Sequence, residues 1–356
     1  MTAPLNPPKP NASIILGIES SCDDTAAAIL CDGKILANIA ASQTVHEQYG
    51  GVVPELASRA HQSNIIPVID QALKQAGISH NDLSAIAVTQ GPGLMGSLLV
   101  GNNVAKGLCI ANNLPLIGVD HLQAHVAALF IDNEVDLPML CLLVSGGHTQ
   151  LIWVESIDRM EIIGSTQDDA AGEAFDKAAK LMGLGYPGGP MVDQLAKDGD
   201  PKKYAFPDSQ TEELHFSFSG IKTSLLYFLR DRQKEDADFL AKEISHVCAS
   251  YQQQIVASLM KRLDKAILQR RPASLGLSGG VSANSALREA FQAMADKRNL
   301  LAYIPAFAYC TDNAAMVGLA AAQRLAAGQT SSLELGVGAR MPLEQADRLY
   351  EHPGCF

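Results

Sequence analysis

The sequence predicts an α/β protein made of two duplicated lobes with a cleft between them. Three observations support this. The chain has 356 residues, more than one hydrophobic core comfortably serves. Its 47% apolar and 18% charged residues are those of a globular protein, and no uninterrupted apolar run approaches the length of a membrane span. A pattern of strand, polar loop, strand, strand begins near Ile14 and again near Met139, about half a chain later.

In the first half, Ile14 to Ser20 is apolar and β-branched, breaks into the polar loop Ser20-Ser-Cys-Asp-Asp-Thr25, and resumes as a strand over Ala26 to Cys31. Asp32-Gly33 is a hairpin signal before a third strand over Lys34 to Ala41. Pro54 suits a first helical turn, apolar residues recur at helical spacing through Leu73, and Gly77 closes the helix. Leu83 to Thr89 reads as a buried strand. Gly91-Pro-Gly-Leu-Met-Gly-Ser97 then leads into a helix ending near Asn112, and Leu116 to Val119 is a short strand before a helix that reaches about Phe130.

The second half repeats the opening: strand Met139 to Val144, loop Ser145-Gly-Gly-His-Thr149, then strands Gln150 to Val154 and Met160 to Ser165. Helices follow over Ala170 to Met182 and, after the turn Gly185-Tyr-Pro-Gly-Gly-Pro190, to about Lys197. Asp198 to Leu214 is polar and reads as a surface excursion. Phe216 opens a further helical region, and a long helix runs from about Phe239 to Gln269. Strand Ala273 to Leu277, the Gly-rich turn Ser278 to Asn284 and helix Ser285 to Lys297 complete another strand-turn-helix unit. Pro305 to Thr311 is a loop before a final Ala-rich helix, from Asp312 to about Ala327.

Charge and cysteine usage narrow the function. A net charge of −11 argues against a broad basic face for nucleic acid, so an RNA substrate would need local basic patches or a partner. Seven scattered cysteines (22, 31, 109, 141, 248, 310 and 355) suit neither a disulfide framework nor a Cys-type zinc site. Residues 1–11 are Pro-rich and lack the apolar core of a secretory signal, so the expectation is a cytoplasmic protein with no membrane association.

Two features carry chemistry. His121 and His125 lie one helical turn apart, on one face, where both imidazoles can reach one zinc or iron ion; the same spacing also suits two helical histidines near a surface. A zincin protease needs Glu directly after the first His, and Leu122 stands there. The second feature is the set of loops Ser20 to Thr25, Ser145 to Thr149 and Ser278 to Asn284, each directly after a strand and rich in small residues that let backbone N–H groups approach an anion. Together they suit a nucleotide clamped from both sides, although neither a Walker A nor a Gly-x-Gly-x-x-Gly unit is present. For single residues there are plainer readings: Gly146 and Gly147 as turn glycines, His148 as a loop donor, Asn284 as a helix cap, Asp176 and Asp193 as solvated helix charges.

These motifs closely resemble those of the bacterial tRNA N6-adenosine threonylcarbamoyltransferases, a family first labelled O-sialoglycoprotein endopeptidases. The resemblance covers almost everything after residue 13. It is carried by Gly17-Ile-Glu-Ser-Ser-Cys-Asp-Asp-Thr25, Gly50-Gly-Val-Val-Pro-Glu-Leu-Ala-Ser-Arg59, Leu143-Val-Ser-Gly-Gly-His-Thr149 and Asp168-Asp-Ala-Ala-Gly-Glu-Ala-Phe-Asp-Lys177. Tyr186-Pro-Gly-Gly-Pro190, Phe216-Ser-Phe-Ser-Gly220, Ser278-Gly-Gly-Val-Ser-Ala-Asn284 and Thr311-Asp-Asn313 add to it. The resemblance implies two ribonuclease-H-like lobes of the actin, Hsp70 and sugar-kinase type with a nucleotide cleft. The expected division is a disordered tail over 1–12, lobe I over 13–133 with a C-terminal helix over 312–345 packing back on it, and lobe II over 134–311.

By position, the resemblance implies that His121, His125 and Asp312 hold one divalent metal, iron(II) ahead of zinc. It implies that Val144, Ser145, Gly146, Gly147, His148, Asp176, Gly189, Asp193 and Asn284 meet the nucleotide substrate. The implied reaction carries a threonylcarbamoyl group from threonylcarbamoyl-AMP to N6 of adenosine 37 in tRNAs reading codons that begin with A, with a paralogous subunit of the same fold and a small ATPase as partners. Asp23 is the candidate base. Asp24 and Gln123 depart from the family, which commonly has Glu at the first position and often at the second. The competing functions are an ATPase or nucleotide hydrolase of the same fold, a metalloprotease, and a non-catalytic scaffold.

Overall fold

The computed structural model describes residues 12–209, 211–341 and 343. Its first half contains β1 (Ile14–Glu19), β2 (Thr25–Cys31), β3 (Lys34–Ala41), α1 (Pro54–Ala76), β4 (Ala85–Gly91), α2 (Met95–Asn112), β5 (Leu116–Asp120) and α3 (His121–Ala127). The second half contains β6 (Met139–Val144), β7 (Thr149–Ser156), β8 (Arg159–Ser165), α4 (Ala171–Leu181), α5 (Gly188–Ala196), α6 (Ser219–Glu235) and α7 (Phe239–Arg270). It closes with β9 (Ser274–Ser278), α8 (Ser285–Arg298), β10 (Leu301–Tyr303) and α9 (Ala314–Ala326).

The two sheets share one topology. The first runs β3-β2-β1-β4-β5, and the second, followed from β8, runs β8-β7-β6-β9-β10. In each, the opening strand pairs antiparallel with the second and parallel with the fourth, as Leu16 opposite Ile29 and Gly17 opposite Ala87 show in one sheet and Leu142 opposite Leu151 and Cys141 opposite Gly276 in the other. The fold is therefore two duplicated α/β lobes, as the repeated strand-loop-strand pattern predicts.

Burial explains why β1 and β6 read as unbroken apolar runs: both are covered on both faces. Leu16 and Ile18 of β1 pack with Ile65, Val68 and Ala72 of α1, while Ile15 joins Ala26 and Ala28 of β2 against Ala314, Val317 and Ala321 of α9. α9, from the far end of the described chain, thus lies on the first sheet. In the other direction, Leu122 and Val126 of α3 pack with Met139, Cys141 and Leu143 of β6. Each of these two helices bridges the halves.

Several boundaries differ from the sequence reading, for identifiable reasons. The strand expected from Leu83 begins at Ala85, because a 3-10 turn over His80–Asp82, closed by a Ser79 and Asp82 capping box, occupies the approach. α5 starts inside the stretch read as a turn: Pro190 falls at its third residue, where a missing N–H costs no intrahelical bond. β10 has three residues and no readable period. The helix expected over 312–345 is confined to Ala314–Ala326, and the chain from 329 to 341 is non-helical; residues 342, 344 and 345 lie outside the described residues, as do 1–11 of the expected tail.

The excursion after α5 is pinned by one buried cation. Arg262 of α7 donates to the carbonyls of Ser209 at 2.8 Å and His215 at 2.9 Å, to Thr211 Oγ1 at 2.9 Å and to Asp208 Oδ1 at 3.2 Å. Among the described residues the cysteines are free, and no helix is long and apolar enough to cross a membrane.

Candidate functional site

The loops that follow β1, β4, β6 and β9 all leave the carboxyl ends of strands, where open α/β sheets hold ligands. The helices after β5 and β10 start from the same edge, and there the first cluster forms. α3 is short and buried throughout, with Asp120 as its N-cap, accepting from the N–H groups of Leu122 at 2.8 Å and Gln123 at 3.0 Å. That cap aims the first turn. His121 and His125 meet edge to face, with ring centroids 4.6 Å apart.

Asp312, just before α9, completes the cluster. Its Oδ1 lies 3.5 Å from His121 Nε2 and 3.1 Å from His125 Nε2, and one ligand atom from each of the three residues lies within 4.8 Å of the others. His125 is 1% exposed, and neither of its ring nitrogens makes an aligned hydrogen bond. Nε2 has the Asp312 carboxylate beside it, while Nδ1 is buried with no acceptor or donor in reach of an aligned bond; a buried polar atom left so costs about 1–3 kcal/mol. Two imidazoles and one carboxylate suit a divalent metal of the iron or zinc type, so these residues fit such an ion.

The electrostatics agree. Burial works against a charge on His121, but Asp312 and then Glu19 outweigh it and push the imidazole up to about 9. Burial likewise works to raise Asp312, and His121 and His125 overcome it and hold the carboxyl well below the usual range. The cluster is built to hold positive charge. His148 behaves in the opposite way: burial, followed by the neighbouring His121 and His125, lowers it to about 4, so its ring is neutral at physiological pH and stands close to the cluster.

His148 closes a tight turn. Its N–H donates to Ser145 Oγ at 3.0 Å, and the Ser145 N–H donates to the His148 carbonyl at 2.7 Å. The turn is braced from below, with Gly172 N–H on the Ser145 carbonyl at 3.2 Å. Gly146 and Gly147 are exposed, and a Cβ added at either would meet no protein atom within 4 Å. Packing against the protein therefore does not demand glycine at either position. Gly279 is different, because its φ of +85° and the Val144 carbonyl, 2.5 Å from where a Cβ would sit, require glycine for the fold itself. Val144 is fully buried, with its side chain in the core and its backbone against Gly279, so it shapes the turn from beneath.

The remaining sequence candidates form a wall in the second half. Asp176 is partly buried and accepts from Gly188 N–H at 2.8 Å at the start of α5; burial raises its carboxyl, and the Gly188 and Gly189 N–H groups oppose this. Asp193 accepts from Ser285 Oγ at 2.7 Å and from Ser285 N–H at 3.2 Å. Beside it, Asn284 caps α8 by accepting from Leu287 N–H at 3.0 Å and donates to Gln252 at 2.7 Å. Neither carboxylate is a simple solvated charge. Asp23 lies across the cleft, close enough to raise both Asp176 and Tyr186.

Three further residues serve the site without having been read as site residues. Glu19 is fully buried at the end of β1; it accepts from Thr89 Oγ1 and from Ser21 N–H, each at 2.5 Å, and its Oε2 lies 3.3 Å from His121 Nδ1. A carboxylate ending an unbroken apolar strand was the available signal. Asp24 is pushed up to about 7, first by burial and then by Asp312 and Asp23. His61 of α1 holds the first loop from behind, with its ring nitrogens 2.8 Å from Thr25 Oγ1 and 2.9 Å from the Cys22 carbonyl. Gln123 turns away from the cluster and accepts from buried Arg324 of α9, so its departure from the family pattern falls on helix packing.

Comparison with known proteins matches this sequence to one family. The family model for tRNA N6-adenosine threonylcarbamoyltransferase matches residues 34–319. Curated proteins of that name are similar over most of the chain: one from Christiangramia forsetii is 54% identical over 310 residues, 86% of this chain and 91% of that protein. Another from Nostoc punctiforme is 45% identical over 348 residues, 95% of this chain and 99% of that one. Among solved structures, HypF from T. kodakarensis aligns with a TM-score of 0.58 at 12% identity, covering 89% of this chain and 48% of that one. Component A of the (R)-2-hydroxyglutaryl-CoA dehydratase of Acidaminococcus fermentans aligns at 0.51 with 15% identity, covering 88% and 99%. At such identities these two speak to the fold alone.

Proposed function

The chain belongs to the tRNA N6-adenosine threonylcarbamoyltransferase family, whose members are transferases, and from that premise we propose its reaction in full. It takes the threonylcarbamoyl group from threonylcarbamoyl-AMP and places it on N6 of adenosine 37 in tRNAs reading codons that begin with A, releasing AMP. The observation that carries this reading is the convergence of His121, His125 and Asp312 beside the Ser145–His148 turn, at the mouth between duplicated lobes.

An exocyclic adenine amine is a poor nucleophile, so the carbamoyl carbon must be made electrophilic and the departing phosphate held. A divalent metal on His121, His125 and Asp312, iron(II) ahead of zinc, would supply Lewis acidity to substrate oxygens. The backbone N–H groups at Gly146 and Gly147, with the Ser145 hydroxyl, suit the phosphate, and neutral His148 adds a donor without adding charge. Asp176, Gly189, Asp193 and Asn284 line the side on which the adenosine of the adenylate lies. The cleft aligns amine and carbonyl and removes much of the entropic cost. The N6 nitrogen bonds to the carbamoyl carbon, the bond from that carbon to the phosphate oxygen breaks, and AMP leaves with the electron pair. The amine proton passes to a carboxylate of the first loop, Asp23 or its neighbour Asp24, whose value of about 7 suits a base at neutral pH.

The partners in this reading are tRNA, a paralogous subunit of the same fold and a small ATPase, working in the cytoplasm. A net charge of −11 gives weak steering toward a polyanion, which favours a shared RNA site. Exposed Ile66 of α1 with Met95, Leu99 and Ile110 of α2 supply an apolar face for the paralogous subunit. The test is reconstitution with those partners, tRNA and synthetic adenylate, followed by mass spectrometry of tRNA nucleosides. The modified nucleoside is expected, and its loss in Asp312→Ala. AMP release without modified tRNA would favour a hydrolase, and peptide cleavage a protease.

A further inference from the structure

Phe307 is 69% exposed, the highest value for any large apolar side chain among the described residues. It sits in a 3-10 turn over Phe307–Tyr309, five positions before Asp312. A stretch of that length spans at most about 18 Å even when fully extended, which bounds the separation of the two backbones.

The ring is held. The Arg288 guanidinium lies over it, 4.6 Å from the ring centroid. That guanidinium donates to the Ser282 carbonyl at 2.9 Å, to the Pro305 carbonyl at 3.0 Å and to Cys310 Sγ at 3.6 Å. Arg288 therefore joins the Ser278–Asn284 turn to the segment leading to Asp312, and it backs one ring face while solvent covers the other. Leaving a Phe this exposed forgoes most of the stabilisation that burial would give it. A flat aromatic surface, stiffened from behind by a planar cation that is itself bonded to the Ser278–Asn284 turn, is the arrangement on which nucleobases stack.

We propose that Phe307, backed by Arg288, is a stacking platform for a tRNA base next to the adenosine that enters the cleft. The inference rests on the transferase reading above. Reaching the reacting carbonyl requires that adenosine to leave its stack, and its neighbour then lacks one stacking face. Phe307 supplies the replacement. Because every base has an aromatic face, the platform favours order in the loop over any one sequence.

The test uses the full chain with its partner subunits and an anticodon stem-loop carrying 2-aminopurine beside the target adenosine. Binding should quench the fluorophore in the wild type and in Phe307→Trp, and should not in Phe307→Ala. In steady-state assays Phe307→Ala should raise KM for tRNA roughly tenfold, equivalent to about 1.4 kcal/mol, with KM for the adenylate held. Equal quenching in Phe307→Ala, or a rise in adenylate KM in place of tRNA KM, overturns the platform. Melting temperature reports folding, and if Phe307→Ala melts early, the quench in Phe307→Leu, which keeps bulk but has no ring, decides in its place. Phe307-dependent quenching by a wild type that yields no modified nucleoside would sink the transferase reading and leave the platform standing.

Discussion

The Oε2 of Glu19 lies 3.3 Å from Nδ1 of His121, with both side chains buried, and Thr89 and Ser21 fix the carboxylate from the other side. An imidazole held at Nδ1 by a carboxylate presents its Nε2 lone pair in one orientation, toward Asp312. Removing such a partner typically weakens metal affinity about 10- to 100-fold. Glu19→Gln should fall at the low end and Glu19→Ala at the high end, as read by competition with a chelating dye. Unchanged affinity in folded variants would leave Glu19 a strand-end residue only.

His121 also sets the pH dependence of metal binding. A metal takes the neutral imidazole, and in the metal-free protein this ring holds its proton up to about 9. Between pH 7 and pH 9 each metal bound should expel up to one proton from this ring, and affinity should rise up to tenfold per pH unit before levelling near pH 9. Calorimetry in buffers of different ionisation enthalpy counts that proton. The same shift gives the metal-free fold a stabilisation that is complete below the unfolded value of 6.5 and is lost as pH rises through about 9. Its melting temperature should decline across that window.

Double replacement of His121 and His125 by Ala should abolish bound metal in elemental analysis, with the fold retained. The Asp120 cap that starts their helix uses the backbone N–H groups of Leu122 and Gln123 and stays in place when the two rings are removed. Full metal content in that variant would place the ion elsewhere.

Gly147 and Gly279 should separate binding from folding. A Cβ at Gly147 meets no protein atom within 4 Å, so Gly147→Val should melt close to the wild type yet bind AMP at least tenfold more weakly by calorimetry. Gly279→Ala meets the Val144 carbonyl at a φ of +85° and should cost about 1–3 kcal/mol in denaturant unfolding. If Gly147→Val bound AMP normally, the phosphate would not lie on this turn.

If Asp24 takes the amine proton, the rate at low substrate should rise with pH through about 7, and Asp24→Asn should remove that limb. Asp23→Asn supplies the contrast. A limb that survives in Asp24→Asn and disappears in Asp23→Asn would assign the base to Asp23.

What the sequence made legible follows the range of the interactions. His121 and His125 could be paired by eye because helical spacing places them together. Their third companion is more than half the chain away, and only resemblance to a family pointed to Asp312. Glu19 was missed for the same reason: its partner His121 is 102 positions on, and a carboxylate ending a strand looks like an ordinary strand end. Asn284 shows the reverse. Its residue type and position before a helix announce a cap, and the cap is present. By residue type alone Asp176 and Asp193 suit solvated helix charges, and only the family resemblance drew them toward a nucleotide; the start of α5 and Ser285 come to meet them in the fold. β10 was invisible because three residues carry no period, and only its pairing with β9 defines it.

The shared strand order of the two sheets has one more consequence. A pair of separate half-chains in this arrangement would be a symmetric dimer, in which any substitution appears twice and both copies of a site change together. Joined into one chain, the halves meet at an effective concentration set by their linker, without the dilution that limits a dimer. Each copy is then free to specialise. The helix after the fifth strand carries two imidazoles, while the turn before its counterpart offers a carboxylate. A symmetric dimer would carry that asymmetric set of three twice over; the fused chain carries it once.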